Sequence, residues 1–295
     1  MSSGACFGYR IDSPLDFAYL RGGEGTPLIV ETGNGLGSPP SGADAVLEWT
    51  DPFRASLLAN GGCYRFWVDG LGSYEIDTAE RRILVPDSAD PVVREERLWG
   101  IPAALSFAAR GDLPLHAAAV EVGGKALLIA APGVFGKTTL AAAFARAGHR
   151  VLAEDLSCLR LVDGAAIIPG PAMLRLRRDV AEEIELPPGT VVLDEPLRVH
   201  LALEHATRGD CLPVPVRAVV VLKPGKDEIR LDPVPAAEGI RDLLALSFRL
   251  PSDEAHRRAF EGVASLVRRV PVWELSRPDG LALLPEVVDK IVTNV

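Results

Sequence analysis

Hydrophobic and polar residues alternate over short runs in the first 90 residues of the chain, and turn-forming clusters separate these runs. The segments CYRFWVDG and GSYEID follow this alternation, which is typical of strands with one buried face. A Gly-containing turn joins them, and the pattern as a whole predicts a β-rich N-terminal region. The following segment, VVREERLWGIPAALSFAAR, has apolar residues at near-helical spacing, with Pro102 favouring a break or the start of a second helix.

The pattern changes from residue 113 onward. LPLHAAAVEV and KALLIAA flank Gly123–Gly124 and predict two strands joined by a tight turn, the second one buried on both faces. KTTLAAAFARAGH predicts a helix that stops near Gly148. RVLAEDLSCLRLVDGAAIIPG predicts a strand ending at Glu154–Asp155 and further strands on both sides of an Asp163–Gly164 turn. This order predicts a compact α/β unit with a site at the carboxyl ends of its strands.

The remaining segments continue this mixed pattern. PAMLRLRRDVAEEI is helical toward its end, and VVLDEPLRVHLALE and VPVRAVVVLKP read as extended. Three helices are predicted near the C-terminus, from AEGIRDLLALSF, DEAHRRAFEGVASLVRRV and LALLPEVVDKIV, with a short strand at PVWEL. We therefore divide the chain into a β-rich region over residues 1–95 and one α/β domain over residues 96–295, with the first packing on the second.

Composition narrows the class of function. The 295 residues carry a formal net charge of -9, which opposes attraction to nucleic acid or to an anionic membrane surface. The four cysteines lie far apart, with no metal-ligand spacing, as expected for reduced thiols. No signal-peptide pattern or long apolar run is present, so we expect a soluble cytoplasmic protein.

Residues 131–139, APGVFGKTT, match the spacing of a phosphate loop, with alanine in place of the first glycine. Glycines at 133 and 136 let backbone N–H groups turn toward anionic oxygens at the start of a helix. Lys137 is placed for the β- and γ-phosphates of ATP, and the Thr138 hydroxyl for Mg²⁺. The residues expected to contact the nucleotide are Gly133, Val134, Phe135, Gly136, Lys137, Thr138 and Thr139.

Phosphoryl transfer also needs acidic groups, and Glu154–Asp155 ends a strand that we expect to lie beside the strand preceding the loop. Neighbouring residues of a strand point to opposite sides, so one carboxylate can face metal and the other the acceptor only where the strand ends or bulges. An ordinary acidic turn is the alternative. For His116, a packed and hydrogen-bonded core histidine competes with a role in the site.

The segments LHAAAVEVGGKALLIAAPGVFGKTTLAAAFARAGHRVLAEDLSCL, PGPAMLRLRRD and VPVWELSRPDGLALLPEVV together resemble the HPr serine kinase/phosphorylase family. The resemblance is to its short HPr kinase-like branch, often found beside peptide natural-product genes, and covers roughly residues 113–288. It implies a P-loop core of HPr kinase-like (PEP carboxykinase-like) fold behind the β-rich region. It further implies ATP at the loop, Mg²⁺ on Thr138 and Asp155, His116 near the transferring phosphate, and a base at the acidic pair.

Two positions depart from that family. Glu154 stands where the family has aspartate. The base is therefore either Asp155, which we favour, or Glu154. Arg175 stands where the family has a metal-binding glutamate. The resemblance implies an ATP- and Mg²⁺-dependent kinase acting on a hydroxyl, with Lys137 offsetting phosphate charge. The expected acceptor is a serine of a peptide or protein, such as a ribosomal natural-product precursor, and a homo-oligomer is a family expectation. A nucleotide-binding sensor or scaffold without transfer, or a small-molecule kinase, are the alternatives.

The acceptor site should lie outside the phosphate loop. One candidate is the basic cluster Arg175, Arg177 and Arg178 together with the N-terminal region. A cluster of this kind grips a phosphate group or simply forms a solvated face, and the sequence leaves both readings open.

Overall fold

The protein is described from a computed structural model that covers residues 4–33, 45–50, 53–87, 90–133, 135–204, 211–225 and 227–295. Over these residues the chain is a mixed α/β protein rich in sheet, with three sheets and seven helices. The predicted mixed α/β class is confirmed.

The first sheet is formed by residues 4–86. Its strands are β1 (Gly4–Cys6), β2 (Tyr9–Asp12), β3 (Thr26–Gly33), β4 (Leu47–Trp49), β5 (Ala55–Asn60), β6 (Cys63–Val68), β7 (Gly72–Asp77) and β8 (Arg82–Pro86). They lie in the order β1-β2-β3-β8-β7-β6-β5-β4, with β4 at one edge. The two strands predicted from the alternating segments are β6 and β7, which pair antiparallel. One face of this sheet is buried, with Phe66 and Tyr74 each at most 2% exposed.

Two short helices link this sheet to the rest of the chain, α1 (Pro91–Leu98) and α2 (Ile101–Ala109). The carboxylate of Asp90 accepts the N–H groups of Val92 and Val93 and so begins α1. The predicted break is confirmed, and Pro102 lies in the first turn of α2, where a missing N–H costs no helical hydrogen bond. Helix α2 contacts β7 and also two strands of the second sheet, β9 (Leu113–Val122) and β12 (Leu156–Arg160).

The remaining elements build two more sheets and their helices. The other strands are β10 (Lys125–Ala130), β11 (Arg150–Ala153), β13 (Ala166–Ile168), β14 (Met173–Arg177), β15 (Gly189–Asp194), β16 (Arg198–Leu203), β17 (Val214–Leu222), β18 (Arg230–Pro233) and β19 (Val272–Ser276). The helices are α3 (Lys137–Arg146), α4 (Arg178–Glu183), α5 (Ala236–Ala245), α6 (Asp253–Arg269) and α7 (Leu284–Asn294). None of the helices in the described residues is both long and apolar enough to span a membrane.

The second sheet brings the phosphate loop and the acidic pair together. Strand β10 lies between β9, which is antiparallel to it, and β17, which is parallel. Strand β19 runs parallel to β17, so β10, β17 and β19 end at the same edge. Strands β14, β16 and β15 form the small third sheet, which places Arg175 near the acidic pair. Helices α3 and α7 contact each other, and α5 contacts α6.

One predicted neighbourhood is wrong. We expected the strand before Glu154 to lie beside β10, but β11 pairs with β9, through Val151 and Val120. The reason is the tight hairpin at Gly123–Gly124, where φ of +58° and +76° joins β9 directly to β10. Because β17 takes the other edge of β10, the acidic strand must pair with the far edge of β9.

Candidate active site

The phosphate loop connects the buried strand β10 to helix α3. Gly136 begins the helix with φ +86°, a left-handed conformation in which a glycine is favoured. Ala131 does not have a positive φ, so alanine at the first loop position carries no backbone strain. No side chain caps the first turn of α3, which leaves its N–H groups available to an anion. The local geometry of the loop therefore suits phosphate oxygens.

The ammonium of Lys137 is held over this loop. Its Nζ donates to the carbonyl oxygens of Ala131 and Pro132, at 3.0 Å and 3.2 Å, and lies 2.8 Å from Nε2 of His116. The side chain is 5% exposed, and burial lowers the pKa of Lys137 while Asp155 opposes that shift. Ligand phosphates would exchange the loop carbonyls for anionic oxygens, which are stronger acceptors for an ammonium.

His116 joins the loop lysine to the acidic pair. It lies on β9 opposite Leu156, and its Nδ1 is 3.4 Å from Oδ1 of Asp155. Burial lowers the pKa of His116, with Asp155 acting in the opposite direction, so the ring is neutral at neutral pH. With Lys137 as donor, Nε2 is the acceptor, and Nδ1 carries the proton that faces the carboxylate.

The acidic pair lies where the edge strand is interrupted. Residues 154 and 155 separate β11 from β12, although both strands pair with β9. This interruption frees the two carboxylates from strict alternation, as the sequence argument requires. Glu154 is turned inward and 2% exposed, whereas the Asp155 side chain is 43% exposed. The two neighbours therefore meet different surroundings.

Glu154 is enclosed by polar partners. Thr138 donates its hydroxyl to Oε1 at 2.8 Å, and Arg175 donates to Oε2 from Nε at 2.9 Å. Burial raises the pKa of Glu154, and Arg175 opposes the shift. The guanidinium also lies 3.7 Å from Asp155. Burial acts to lower the pKa of Arg175, but the two carboxylates outweigh burial and raise that pKa above its usual range. Arg175 is thus an internal counter-ion of the acidic pair.

Asp155 is surrounded by positive charge. Lys137 is 4.0 Å away. Burial would raise the pKa of Asp155, but the Nδ1–H of His116 that faces it and the charges of Arg175 and Lys137 outweigh burial. The carboxyl pKa is therefore below its usual value, and the group is ionised and half exposed at neutral pH. These properties suit a carboxylate that accepts a proton or a hydrogen bond from a bound hydroxyl.

The other predicted loop residues occupy simpler positions. Gly133 has ordinary backbone angles with open space around it, and Phe135 is 40% exposed beside the loop. Thr139 is half-buried in the first turn of α3. Val134 lies outside the described residues. The structure thus brings Lys137, Thr138 and the acidic pair with His116 into one cluster.

The basic cluster does not act as a unit. Arg175 points to the acidic pair, whereas Arg177 is 61% exposed and pairs with Asp179. Arg178 pairs with Asp194. Alternation along β14 would place residues 175 and 177 on the same face. Arg177 is the last residue of the strand and residue 178 begins α4, so only Arg175 lies well inside β14. Arg177 therefore belongs to a solvated face, whereas Arg178 is partly buried and also donates to the carbonyl oxygen of Glu195.

The sequence did not identify one further cation at the loop. Arg277 follows β19, and its Nη2 lies 3.7 Å from the position that a Cβ on Gly136 would occupy. Its Nη1 donates to the carbonyl oxygens of Pro278 and Gly280, and burial lowers its pKa. No spacing rule links residue 277 to residue 136, and only the parallel pairing of β10, β17 and β19 brings them together.

The residues present fit a single divalent cation bound with phosphate. Thr138 and Glu154 place a hydroxyl and a carboxylate side by side next to the loop. The described residues contain no group of three or more metal-ligating side chains, which is compatible with Mg²⁺, since that ion keeps waters and takes one or two carboxylates plus phosphate oxygens. Asp155, the predicted metal ligand, faces His116 and Lys137 instead of Thr138.

Comparison with known proteins adds little to this geometry. No family model matches the chain, and no curated protein is similar to it. Among solved structures, 62 chains match. One is the Hpr(Ser) kinase/phosphatase from Coxiella burnetii, which is 12% identical, covers 61% of this chain and 94% of its own, and superposes with a TM-score of 0.31. A likeness at this level leaves the function to be argued from the site itself.

Proposed function

We propose that the protein is an ATP- and Mg²⁺-dependent phosphotransferase with an HPr kinase-like P-loop core, which transfers the γ-phosphoryl group to a seryl hydroxyl of a peptide or protein. The observation that carries this proposal is the cluster around Lys137. Its Nζ sits over the phosphate loop and within 4.0 Å of Asp155, with His116 between them at 2.8 Å. A phosphate donor and a hydroxyl acceptor would therefore meet at Lys137.

Each side chain then has a distinct part in the reaction. The N–H groups of α3 and the ammonium of Lys137 bind the triphosphate, and Arg277 adds positive charge beside Gly136. Thr138 and Glu154 would hold Mg²⁺, and that ion would offset charge on the bound phosphates. Here Glu154 replaces Asp155 in the metal role that the sequence suggested.

Asp155 is then the group that faces the acceptor. It accepts the proton of the seryl hydroxyl as the oxygen forms a bond to the γ-phosphorus and the bond from that phosphorus to the β–γ bridging oxygen breaks, leaving ADP and a phosphoserine. Neutral His116 holds Asp155 on one side and Lys137 on the other. Its part is to position the two groups.

One observation favours the alternative of nucleotide binding without transfer. Arg175 already neutralises Glu154, so the carboxylate next to Thr138 meets a guanidinium before any metal arrives. A sensor would bind ATP and show a higher melting temperature, with no turnover. In that case the Asp155→Asn variant would behave like the parent protein in every assay.

The decisive experiment uses γ-labelled ATP, Mg²⁺ and a library of seryl peptides. Lys137→Ala should lose at least a hundredfold in transfer rate, because it removes the ammonium at the γ-phosphate. Lys125→Ala is the matched control, since Lys125 is exposed at the start of β10 and should leave transfer unchanged. Unchanged transfer by Lys137→Ala would exclude the assigned loop, and ATP binding without transfer to any peptide would favour the sensor.

A further inference from the structure

A cavity of about 430 Å³ opens beside the acidic pair, between the N-terminal sheet, the helix pair and the second sheet. His116, Asp155 and Arg175 line it on the side of the proposed chemistry. This volume lies in the range of pockets that bind small molecules or large side chains, and such pockets often occur where two layers of a protein meet. The cavity is therefore continuous with the proposed acceptor side of the site.

Several walls of the cavity are aromatic. They are formed by Trp49, Phe53, Phe66, Trp99 and Phe248. The rings of Trp49 and Phe66 meet edge to face, with centroids 5.7 Å apart. Walls of this kind favour an apolar occupant, because burial of aromatic or aliphatic surface is their main source of binding free energy.

The charged residues on these walls already have partners. Glu96 accepts from the hydroxyl of Tyr19 at 2.9 Å and pairs with Nδ1 of His200. The guanidinium of Arg97 lies over the ring of Phe53, 4.0 Å from its centroid. The carboxylate of Glu96 therefore needs no partner from an occupant, and Arg97 extends the aromatic wall by a cation–π contact.

We infer that this cavity selects the acceptor: it takes the large apolar side chain, aromatic or branched aliphatic, of a residue next to the phosphorylated serine in a peptide. The inference rests on the proposed function and adds its substrate class. With the apolar side chain among the aromatic walls, the neighbouring serine lies at the Asp155 end of the same cavity. The cavity opens to solvent, so a peptide residue can enter it from outside.

The first test compares short capped peptides that differ in one residue. Each contains one serine in a glycine background, with phenylalanine, leucine, alanine or aspartate before or after it. The phenylalanine and leucine peptides should be phosphorylated with kcat/KM at least tenfold above that of the alanine peptide, which corresponds to about 1.4 kcal/mol. Equal kcat/KM across the series would overturn the inference while leaving the phosphotransferase proposal intact.

Two variants of the cavity test the same point from the protein side. Ala245 lines the cavity but is exposed at the end of α5, so Ala245→Trp should fill the space without disturbing the core. It should abolish the preference for phenylalanine over alanine, as should Phe248→Ala, which removes part of the wall. The matched control is Phe260→Ala, because Phe260 is 51% exposed on α6 and does not line the cavity. A preference that survives Ala245→Trp would overturn the assignment.

A binding assay separates failure of this inference from failure of the proposed function. Trp49 and Trp99 line the cavity, so a Trp67→Phe/Trp273→Phe variant reports on the cavity by its remaining tryptophan fluorescence. A peptide with alanine for serine and an adjacent phenylalanine should change this fluorescence, and its all-glycine counterpart should not.

Each outcome of the binding assay has one meaning. Binding of the phenylalanine peptide without phosphate transfer in the parent protein would refute the phosphotransferase and retain the cavity as a peptide site. No fluorescence change, together with transfer to serine in any context, would refute the cavity. Phosphorylation of a free aromatic alcohol such as 2-phenylethanol, with no peptide accepted, would refute the peptide assignment.

Discussion

Removal of Arg175 should destabilise the protein in a strongly pH-dependent way. In the Arg175→Met variant, Glu154 loses the guanidinium that contacts Oε2 at 2.8–2.9 Å and keeps only the Thr138 hydroxyl on Oε1. Glu154 is 2% exposed, so its carboxylate is poorly solvated in the folded protein. Breaking a buried ion pair from one side typically costs about 3–5 kcal/mol, because the remaining charge is uncompensated.

The magnitude follows from the proton that Glu154 would take up instead. Its unperturbed pKa is 4.5, and protonation above that value costs about 1.36 kcal/mol for each pH unit. Forcing the folded variant to bind this proton therefore costs about 4 kcal/mol at pH 7.5 and about 1.4 kcal/mol at pH 5.5. Without Arg175, the folded-state pKa of Glu154 lies above its unfolded value. The loss of unfolding free energy therefore grows as pH rises above 4.5 and fades as pH falls toward 4.5.

Urea-induced unfolding at several pH values between 5.5 and 8 measures this effect. The loss of unfolding free energy in Arg175→Met should shrink by about 3.4 kcal/mol from the top to the bottom of that range. The Arg175→Met/Glu154→Gln double variant removes the stranded charge and should recover most of the loss, with little pH dependence. Arg177→Met, two residues along β14 and exposed, is the control and should match the parent. A loss that is independent of pH would refute the reasoning.

Two further predictions concern the loop and a second buried carboxyl. Gly136 and Gly148 both have φ +86°, so alanine at either position should destabilise the protein by about 1 kcal/mol or more. Only Gly136→Ala should also weaken ATP binding, by at least tenfold when measured by calorimetry. Equal ATP affinity in the two variants would count against the loop as the phosphate site. Burial raises the pKa of Glu95 from 4.5 to about 7, so the free energy of unfolding should fall by about 3 kcal/mol as pH rises from 4.5 to 8. In urea titrations, Glu95→Gln should remove this dependence on pH. An unchanged dependence would show that Glu95 is not its source.

Local signals predicted most of the elements near the site. The alternation in residues 113–130, the Gly123–Gly124 turn and the stop at Gly148 all appear in the structure as β9, β10 and α3. They are readable because strand alternation, turn chemistry and helix capping depend on residues within a few positions of one another. The sequence did not by itself predict that the strand is interrupted at residues 154–155. It indicated only that an interruption is needed if the two carboxylates are to face different partners.

Contacts between elements far apart along the chain were harder to predict from the sequence. The strand before Glu154 pairs with β9 instead of β10, and Arg277 reaches the loop from 141 positions along the chain beyond Gly136. Nothing in the spacing of residues reports which edges of a sheet are already occupied. The aromatic walls of the cavity have the same origin, since Trp49 and Phe248 come from opposite ends of the chain.

The sequence by itself determined which chemical groups are available: a loop with the spacing of a phosphate loop and its lysine and threonine, an acidic pair, and a formal net charge of -9. These properties reside in residue types and short spacings, which survive without knowledge of the fold. Only the tertiary structure decided that Thr138 meets Glu154, that Asp155 meets His116, and that Arg175 neutralises the pair. Contacts of this kind depend on strand order and burial, and those are settled by packing of the whole chain.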